Sequence, residues 1–165
     1  MRSTAGPNPV IRSMQPQDRA AVVAILSGSE PWTTLGFTPG DWNRIFAPLP
    51  QGRECYVLED EAQILGIAIV RPRFLFGDYL ELLGIAAAWK GKGFGTRLLA
   101  HLEQVAFGRG KNLFACVTDF NKDARSFYAK QGFVEIGRLE NLLIDGSAEI
   151  LLRKTIGPAR SHRPV

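Results

Sequence analysis

Apolar positions recur along the chain with two periods, and the switches between them divide it into strands and helices. Alternating or continuous apolar runs predict strands at residues 10–14, 54–59, 63–73, 78–87, 113–117, 133–137 and 148–154, with a possible further short strand at 141–146. Apolar residues spaced three and four apart predict helices at 15–26, 38–46, 96–107 and 121–131.

This order, β-α-α-β-β-β-α-β-α-β-β, mixes hairpins with strand–helix–strand units. It therefore predicts an α/β fold of the α+β type, with a mixed, mostly antiparallel central sheet of six to seven strands and helices on both faces. The polar ends, rich in Pro and Gly, predict a flexible arm at residues 1–8 and a disordered tail at 157–165. The 165 residues of the chain suffice for a single domain with its own core, which we place at residues 9–156.

Composition narrows the class of protein. The two cysteines, Cys55 and Cys116, lie far apart within apolar stretches, which favours small core residues in a reducing, cytoplasmic setting over a disulfide or a zinc site. No grouping of residues suggests any other metal. The N-terminus lacks the apolar segment of a secretory signal, and the longest apolar run, near residues 64–70, is too short to span a membrane.

The net charge of +4 suits an anionic ligand, although nucleic acid is compatible with it. The basic residues are dispersed and are not interleaved with aromatic residues, so a nucleic-acid partner is unfavoured.

A glycine-rich turn at residues 90–96 lies between a predicted strand and a predicted helix. Its sequence is Lys-Gly-Lys-Gly-Phe-Gly-Thr. Glycines let backbone N–H groups approach a ligand closely, and the following helix points its free N–H groups at the same place, so the turn is a candidate phosphate site. The spacing fits neither a P-loop nor a dinucleotide fingerprint, because Gly95 is followed by Thr-Arg and the sixth position from Gly91 is Thr96. A flexible surface turn remains the structural alternative.

Two segments together carry a resemblance to a known family. The first combines Leu-Leu-Gly-Ile at residues 82–85 with the glycine-rich turn and the Arg-Leu-Leu that follows it. The second, residues 121–133, reads N-x-x-A-x-x-x-Y-x-x-x-G-F. Both resemble the acetyl-CoA motifs of the GNAT superfamily of N-acetyltransferases, in the same order, and the likeness covers about residues 10–155. Lys90 stands where that family usually has Gln or Arg, and residues 86–89 lack the family's common proline.

The resemblance implies the GNAT fold and transfer of an acetyl group from acetyl-CoA to a primary amine, by direct attack in a ternary complex. It implies that the strand at 82–86 diverges from its parallel neighbour at 113–117, and that the pantetheine arm of the cofactor enters there. The N–H of Ile85 would stabilise the oxyanion. The residues that would bind acetyl-CoA are Leu83, Ile85, Lys90, Lys92, Gly93, Phe94, Gly95, Thr96, Asn121 and Tyr128.

Tyr128 is the candidate general acid, since a phenol can give a proton or a hydrogen bond to the leaving thiolate; the alternative is a core aromatic residue. Glu81 is the candidate base, because an alternating strand would place it on the face of Leu83 and Ile85; the alternative is a strand-end charge. Asp119 is the reserve. Asn121 could bind cofactor, cap a helix, or do both.

The acceptor is left open between a protein N-terminus, a lysine and a small-molecule amine, and the protein could be a monomer or a homodimer. Glu30 and Trp32 are candidate substrate contacts, because a carboxylate beside an aromatic ring suits a cationic amine. His101 is expected on a solvated helix face. A different class of function, a non-catalytic acyl-CoA-binding regulatory module on the same fold, remains the alternative.

Overall fold

The computed structural model describes residues 8–160 and shows seven strands and four α-helices within them. The strands are β1 Val10–Ser13, β2 Glu54–Asp60, β3 Gln63–Phe74, β4 Gly77–Ile85, β5 Asn112–Thr118, β6 Val134–Glu140 and β7 Ala148–Thr155. The helices are α1 Arg19–Ser27, α2 Pro39–Ile45, α3 Phe94–Arg109 and α4 Lys122–Lys130, and short 3₁₀ turns occupy Pro16–Asp18 and Ala87–Trp89.

All seven strands form one sheet in the order β1-β2-β3-β4-β5-β7-β6. Every neighbouring pair is antiparallel except β4 and β5, which run parallel. The connection between these two strands is α3, as a parallel pair requires a crossover. The predicted mixed, mostly antiparallel sheet is confirmed.

Helices cover both faces of the sheet and create two cores. On the α3/α4 face, the leucines of α3 and Tyr128 of α4 pack against residues of β3, β4, β5 and β7. On the α1/α2 face, α1 and α2 pack against β2, β3 and Leu82 of β4. Side chains along a strand point alternately into the two cores. In β5, for example, Leu113, Ala115 and Val117 all face α3 and α4.

A β-bulge in β4 overturns the predicted facing of Glu81. Val70 of β3 pairs with Leu80 and Ile69 pairs with Leu82, so Glu81 is the extra residue. The alternation of side chains between the two faces of the sheet therefore shifts by one residue at this point. Leu83 and Ile85 face α3 and α4, whereas Glu81 lies on the α1/α2 face, bonded to Arg71 there.

Two further expectations differ from the structure. Residues 141–146 form a loop rather than a strand: Asn141 has φ 54° and its side chain accepts a hydrogen bond from the Gly146 N–H at 2.8 Å. His101 is half-buried rather than solvated. Its ring packs edge-on against Tyr56 with centroids 5.1 Å apart, which follows from the position of β2 beneath α3.

The predicted terminal arms fall mostly on residues 1–7 and 161–165, outside the described residues. Within the described part of the chain, no helix is both long and apolar enough to cross a bilayer. Cys55 and Cys116 are free and half-buried.

Candidate active site

The glycine-rich turn provides a cluster of free backbone donors at the start of α3. Gly91 and Gly93 have φ values of 72° and 84°, which L-residues with side chains rarely adopt, and α3 begins at Phe94. The Arg97 N–H donates to the Gly93 carbonyl, whereas the N–H groups of Phe94, Gly95 and Thr96 have no partner within residues 8–160. These donors and the positive end of the helix dipole favour an anion.

The two lysines of the turn have different surroundings. Lys92 places its Nζ 4.6 Å from the centroid of the Trp89 ring, which holds the ammonium group beside the turn. Lys90 is exposed, and its charge contributes to lowering the pKa of Glu30, after the larger contributions of hydrogen bonds from Thr33 and Thr34. The loop between α1 and α2 therefore lies beside the turn.

A gap opens in the middle of the sheet between β4 and β5. Only the residues Asp78–Leu80 and Leu113–Ala115 pair, although both strands continue beyond them. Ala86 donates its N–H to Leu65 of β3 at 2.8 Å, so by alternation the backbone groups of Leu83 and Ile85 point away from β3, into the gap. An extended ligand can use these groups as a neighbouring strand would.

The start of α3, the end of β4 and α4 meet at one end of this gap. A Cβ added to Gly95 would lie 3.7 Å from Ile85 and from the Phe127 ring, so these three residues are neighbours. Tyr128 belongs to the same core and is only 7% exposed, edge-on to Phe133 at 5.2 Å. Burial raises the pKa of Tyr128, so the phenol stays protonated and can donate a hydrogen bond.

Asn121 caps α4, with its Oδ1 accepting from the Ala124 N–H at 3.2 Å. This confirms the structural half of its predicted role. The amide NH₂ of the same side chain remains a donor.

The predicted base, Glu81, is held by two arginines. Arg53 Nε donates to its carboxylate at 2.6 Å and Arg71 lies 3.5 Å away. The reserve candidate, Asp119, accepts from Arg138 at 2.8 Å, and this hydrogen bond lowers the pKa of Asp119. Because this hydrogen bond stabilises the charged form of Asp119, that carboxylate is a weak base.

The predicted substrate contacts, Glu30 and Trp32, lie in the loop between α1 and α2. Glu30 accepts hydrogen bonds from Thr33 and Thr34 of its own loop. The Trp32 ring packs edge-on against Trp42 at 5.6 Å and lies close to Gly84 of β4. Trp32 thus borders the gap on the α1/α2 face, while Tyr128 lies in the core on the opposite face of the sheet.

Sequence reasoning missed a buried carboxylate on the α1/α2 face of the sheet, one strand away from the gap. Glu149 of β7 is 6% exposed and accepts a 2.6 Å hydrogen bond from the hydroxyl of its strand partner Thr118. Burial raises the pKa of Glu149, of the neighbouring Cys116 and of Tyr79. The available signal was a single carboxylate within the otherwise apolar run Ala-Glu-Ile-Leu-Leu.

Solved structures share this architecture. The ribosomal-protein-S18-alanine N-acetyltransferase from Escherichia coli superposes with a TM-score of 0.77 at 18% identity, covering 96% of this chain and 100% of that one. An aminoglycoside 6'-N-acetyltransferase complexed with coenzyme A gives a TM-score of 0.76 at 17% identity, covering 92% and 99%. At these identities the likeness establishes the fold, which is that of N-acetyltransferases.

The sequence comparisons establish the family. The model of the acetyltransferase (GNAT) family matches residues 20–133, and the chain belongs to that family. A 5-NmdU N-acetyltransferase from Pseudomonas phage PaMx11 is 32% identical over 83 residues, which are 50% of this chain and 58% of the relative. The match thus spans little more than half the length of this curated relative.

Proposed function

We propose that this protein transfers the acetyl group of acetyl-CoA to a primary amine. The observation that carries the proposal is the gap between β4 and β5, which has free backbone groups along one side and the donor cluster of α3 at its end. A pyrophosphate fits the donor cluster, and the pantetheine arm fits the gap as an added strand. The coenzyme A held by the similarly folded aminoglycoside 6'-N-acetyltransferase supports this use of the fold.

The chemistry follows from the groups around the gap. The amine nitrogen forms a bond to the thioester carbon, and the carbon–sulfur bond breaks as coenzyme A leaves. The Ile85 N–H would stabilise the oxyanion between these events. Tyr128, kept neutral by burial, would donate a hydrogen bond to the sulfur as negative charge develops there.

Attack also requires that the amine lose a proton. Two arginines are bonded to the Glu81 carboxylate, which counts against the proposal that Glu81 accepts this proton. Arg138 is bonded to Asp119 and counts against that residue in the same way. Glu81 lies on the α1/α2 face, where Trp32 also lies, and this face of the gap is the proposed entrance for the amine.

The experiment is a transfer assay that follows free thiol with acetyl-CoA and a panel of amines. The panel contains a peptide with an N-terminal alanine, a lysine peptide, the aminoglycoside kanamycin and tryptamine. The first three represent the acceptor classes that the sequence leaves open. The alanine peptide and kanamycin also correspond to the acceptors in the names of the two similarly folded enzymes. Calorimetry measures acetyl-CoA binding in parallel.

Thiol release that depends on one of these amines, with an acetylated product seen by mass spectrometry, supports the enzyme. Acetyl-CoA binding without transfer to any amine would favour the regulatory module. Absence of binding would overturn both. A nucleic-acid binder would show affinity for DNA or RNA that falls steeply with salt and does not compete with coenzyme A.

A further inference from the structure

We infer that Glu149 of β7 accepts the proton that the amine loses, directly or through one water molecule. The inference rests on the proposed function and names a residue for the step that arginine partners disfavour at Glu81 and Asp119.

The position of Glu149 follows from the sheet register. Val117 and Ile150 pair across β5 and β7 and both face α3 and α4. The next pair, Thr118 and Glu149, therefore faces the other way, onto the α1/α2 face. Thr118 belongs to the part of β5 that has left β4, so Glu149 lies one strand away from the open gap.

Glu149 and Tyr128 lie on opposite faces of the sheet. In the tetrahedral intermediate, the attacking nitrogen and the leaving sulfur are both bonded to the thioester carbon. A carbon held in the gap can present the sulfur to the α3/α4 face, where Tyr128 lies, and the nitrogen to the α1/α2 face, where Glu149 lies. The two proton-handling groups are thereby kept apart.

The surroundings of Glu149 suit a base. No lysine or arginine within residues 8–160 forms an ion pair with it, in contrast to Glu81 and Asp119. The titratable groups near it are Tyr79 from β4, Cys116 from β5 and Asp119 after β5, all neutral or acidic. β6 contributes the apolar Leu139 opposite it.

These surroundings raise the affinity of the Glu149 carboxylate for a proton, as a base requires. Burial is the main reason that the pKa of Glu149 is raised, the charge of Asp119 adds to it, and the hydrogen bond from Thr118 works against it. A carboxylate with a raised pKa holds a proton better than an ordinary one and can release it to solvent afterwards.

The protons balance. The amine proton passes to Glu149 and then to water, the carbon–nitrogen bond replaces the carbon–sulfur bond, and the leaving thiolate is stabilised by Tyr128 and takes its proton from solvent. No oxidant, metal or further reactant is needed.

The test compares Glu149→Gln with wild type across pH, using whichever of the alanine peptide, lysine peptide, kanamycin or tryptamine is acetylated. We expect kcat/KM for the amine to fall about 100-fold, with the low-pH limb of the profile lost and acetyl-CoA affinity unchanged. The matched control is Glu103→Gln, which removes an α3 carboxylate paired with Lys154 of β7 and should stay within threefold of wild type.

Thr118→Val provides a second variant that keeps the carboxylate. Because the lost hydrogen bond had lowered the pKa of Glu149, the low-pH limb should move to higher pH. Glu149→Gln should also raise the midpoint of thermal unfolding at pH 7. The sign follows from the raised pKa, since the folded state favours the protonated carboxyl and ionisation above that pKa costs stability.

A Glu149→Gln enzyme within threefold of wild type, or a low-pH limb unmoved in both variants, would overturn the inference. So would a loss of activity that parallels a loss of stability, since that marks a structural role. If wild type acetylates no amine, the proposed function fails first and the inference falls with it; a normal wild type beside a normal Glu149→Gln rejects the inference alone.

Discussion

Burial and hydrogen bonding give the side chains near the gap different tendencies to hold a proton. Burial alone raises the pKa of Tyr128, which therefore remains a donor at any physiological pH. Arg138 lowers the pKa of Asp119 and keeps that carboxylate charged. Burial instead raises the pKa of Glu149. Three groups within one small region are thus suited to different tasks by their neighbours, rather than by residue type alone.

Removing the Tyr128 hydroxyl tests its assigned role. Tyr128→Phe keeps the ring and its edge-on contact with Phe133. We expect kcat to fall by about 100-fold, because the hydrogen bond to the developing thiolate is lost. Acetyl-CoA affinity, measured by calorimetry, should stay within about threefold of wild type.

Tyr56→Phe is the matched control, since it removes a phenol hydroxyl from a half-buried tyrosine on β2, where that hydroxyl donates to Glu54 at 3.0 Å. Equal kcat in wild type and Tyr128→Phe would remove Tyr128 from the reaction.

At the residue scale, the sequence predicted the position of the glycine-rich turn better than the facing of the carboxylates. The glycine spacing and the Asn121–Phe133 motif are local, so they can be read along the chain. The facing of Glu81 depends on a bulge that only pairing with β3 reveals, because Leu-Glu-Leu-Leu has no local sign of it. The role of Glu149 depends on its cross-strand partner Thr118, 31 residues earlier, which no local pattern connects to it.

Among the elements, the β3–β4 hairpin meets β5 at an unusually close backbone contact. A Cβ on Gly77 would lie 2.2 Å from the Asn112 carbonyl oxygen, a distance that no side chain can occupy. Asn112 also donates from its side chain to the Phe76 carbonyl at 3.3 Å. The start of β4 is therefore fixed against the start of β5, where the paired part of the two strands begins.

Gly77→Ala should lower the free energy of unfolding by about 1–3 kcal/mol, because the backbone of Asn112 must move to admit the methyl group. The control is Gly108→Ala in the last turn of α3, where nothing lies within 4 Å of the added Cβ. That change should stabilise by up to about 1 kcal/mol, since alanine is the better helix former. Urea unfolding of both variants measures the difference, and destabilisation of equal size in both would contradict the account.

Element types were mostly predicted correctly because long periodic stretches identify them, as in α3. The one wrong element, the possible strand at 141–146, has apolar residues that suit a strand. Asn141 at φ 54° and Gly146 at φ 78° turn the chain instead. Asp145-Gly146 is the local sequence signal of this turn.

For the whole molecule, acetyl-CoA should act as a stabilising ligand. A ligand at 100 times its Kd adds about 2.7 kcal/mol to the stability of the folded state. Thermal unfolding should therefore move to higher temperature with added acetyl-CoA. Gly93→Val should abolish this shift, because its φ of 84° and the free N–H groups beside it cannot both be kept with a branched side chain.

Gly52→Val is the control for backbone strain alone. Gly52 also has a positive φ, 67°, and open space around it, but lies in the loop before β2. It should lose stability and keep the acetyl-CoA shift. If Gly93→Val folds and shows the full shift, the donor cluster does not bind the cofactor.

The gap also divides the molecule in a way that follows the order of the chain. β1 to β4 precede the glycine-rich turn in the sequence and β5 to β7 follow it. Within the described residues, the two sets of strands are joined in the sheet by only three residue pairs. A chain cut within the glycine-rich turn would therefore give two fragments, each with its own antiparallel strands, that stay packed together through the core beneath α3. Under the proposed function, acetyl-CoA would contact both fragments, because β4 lies on one side of the cut and α3 and β5 lie on the other.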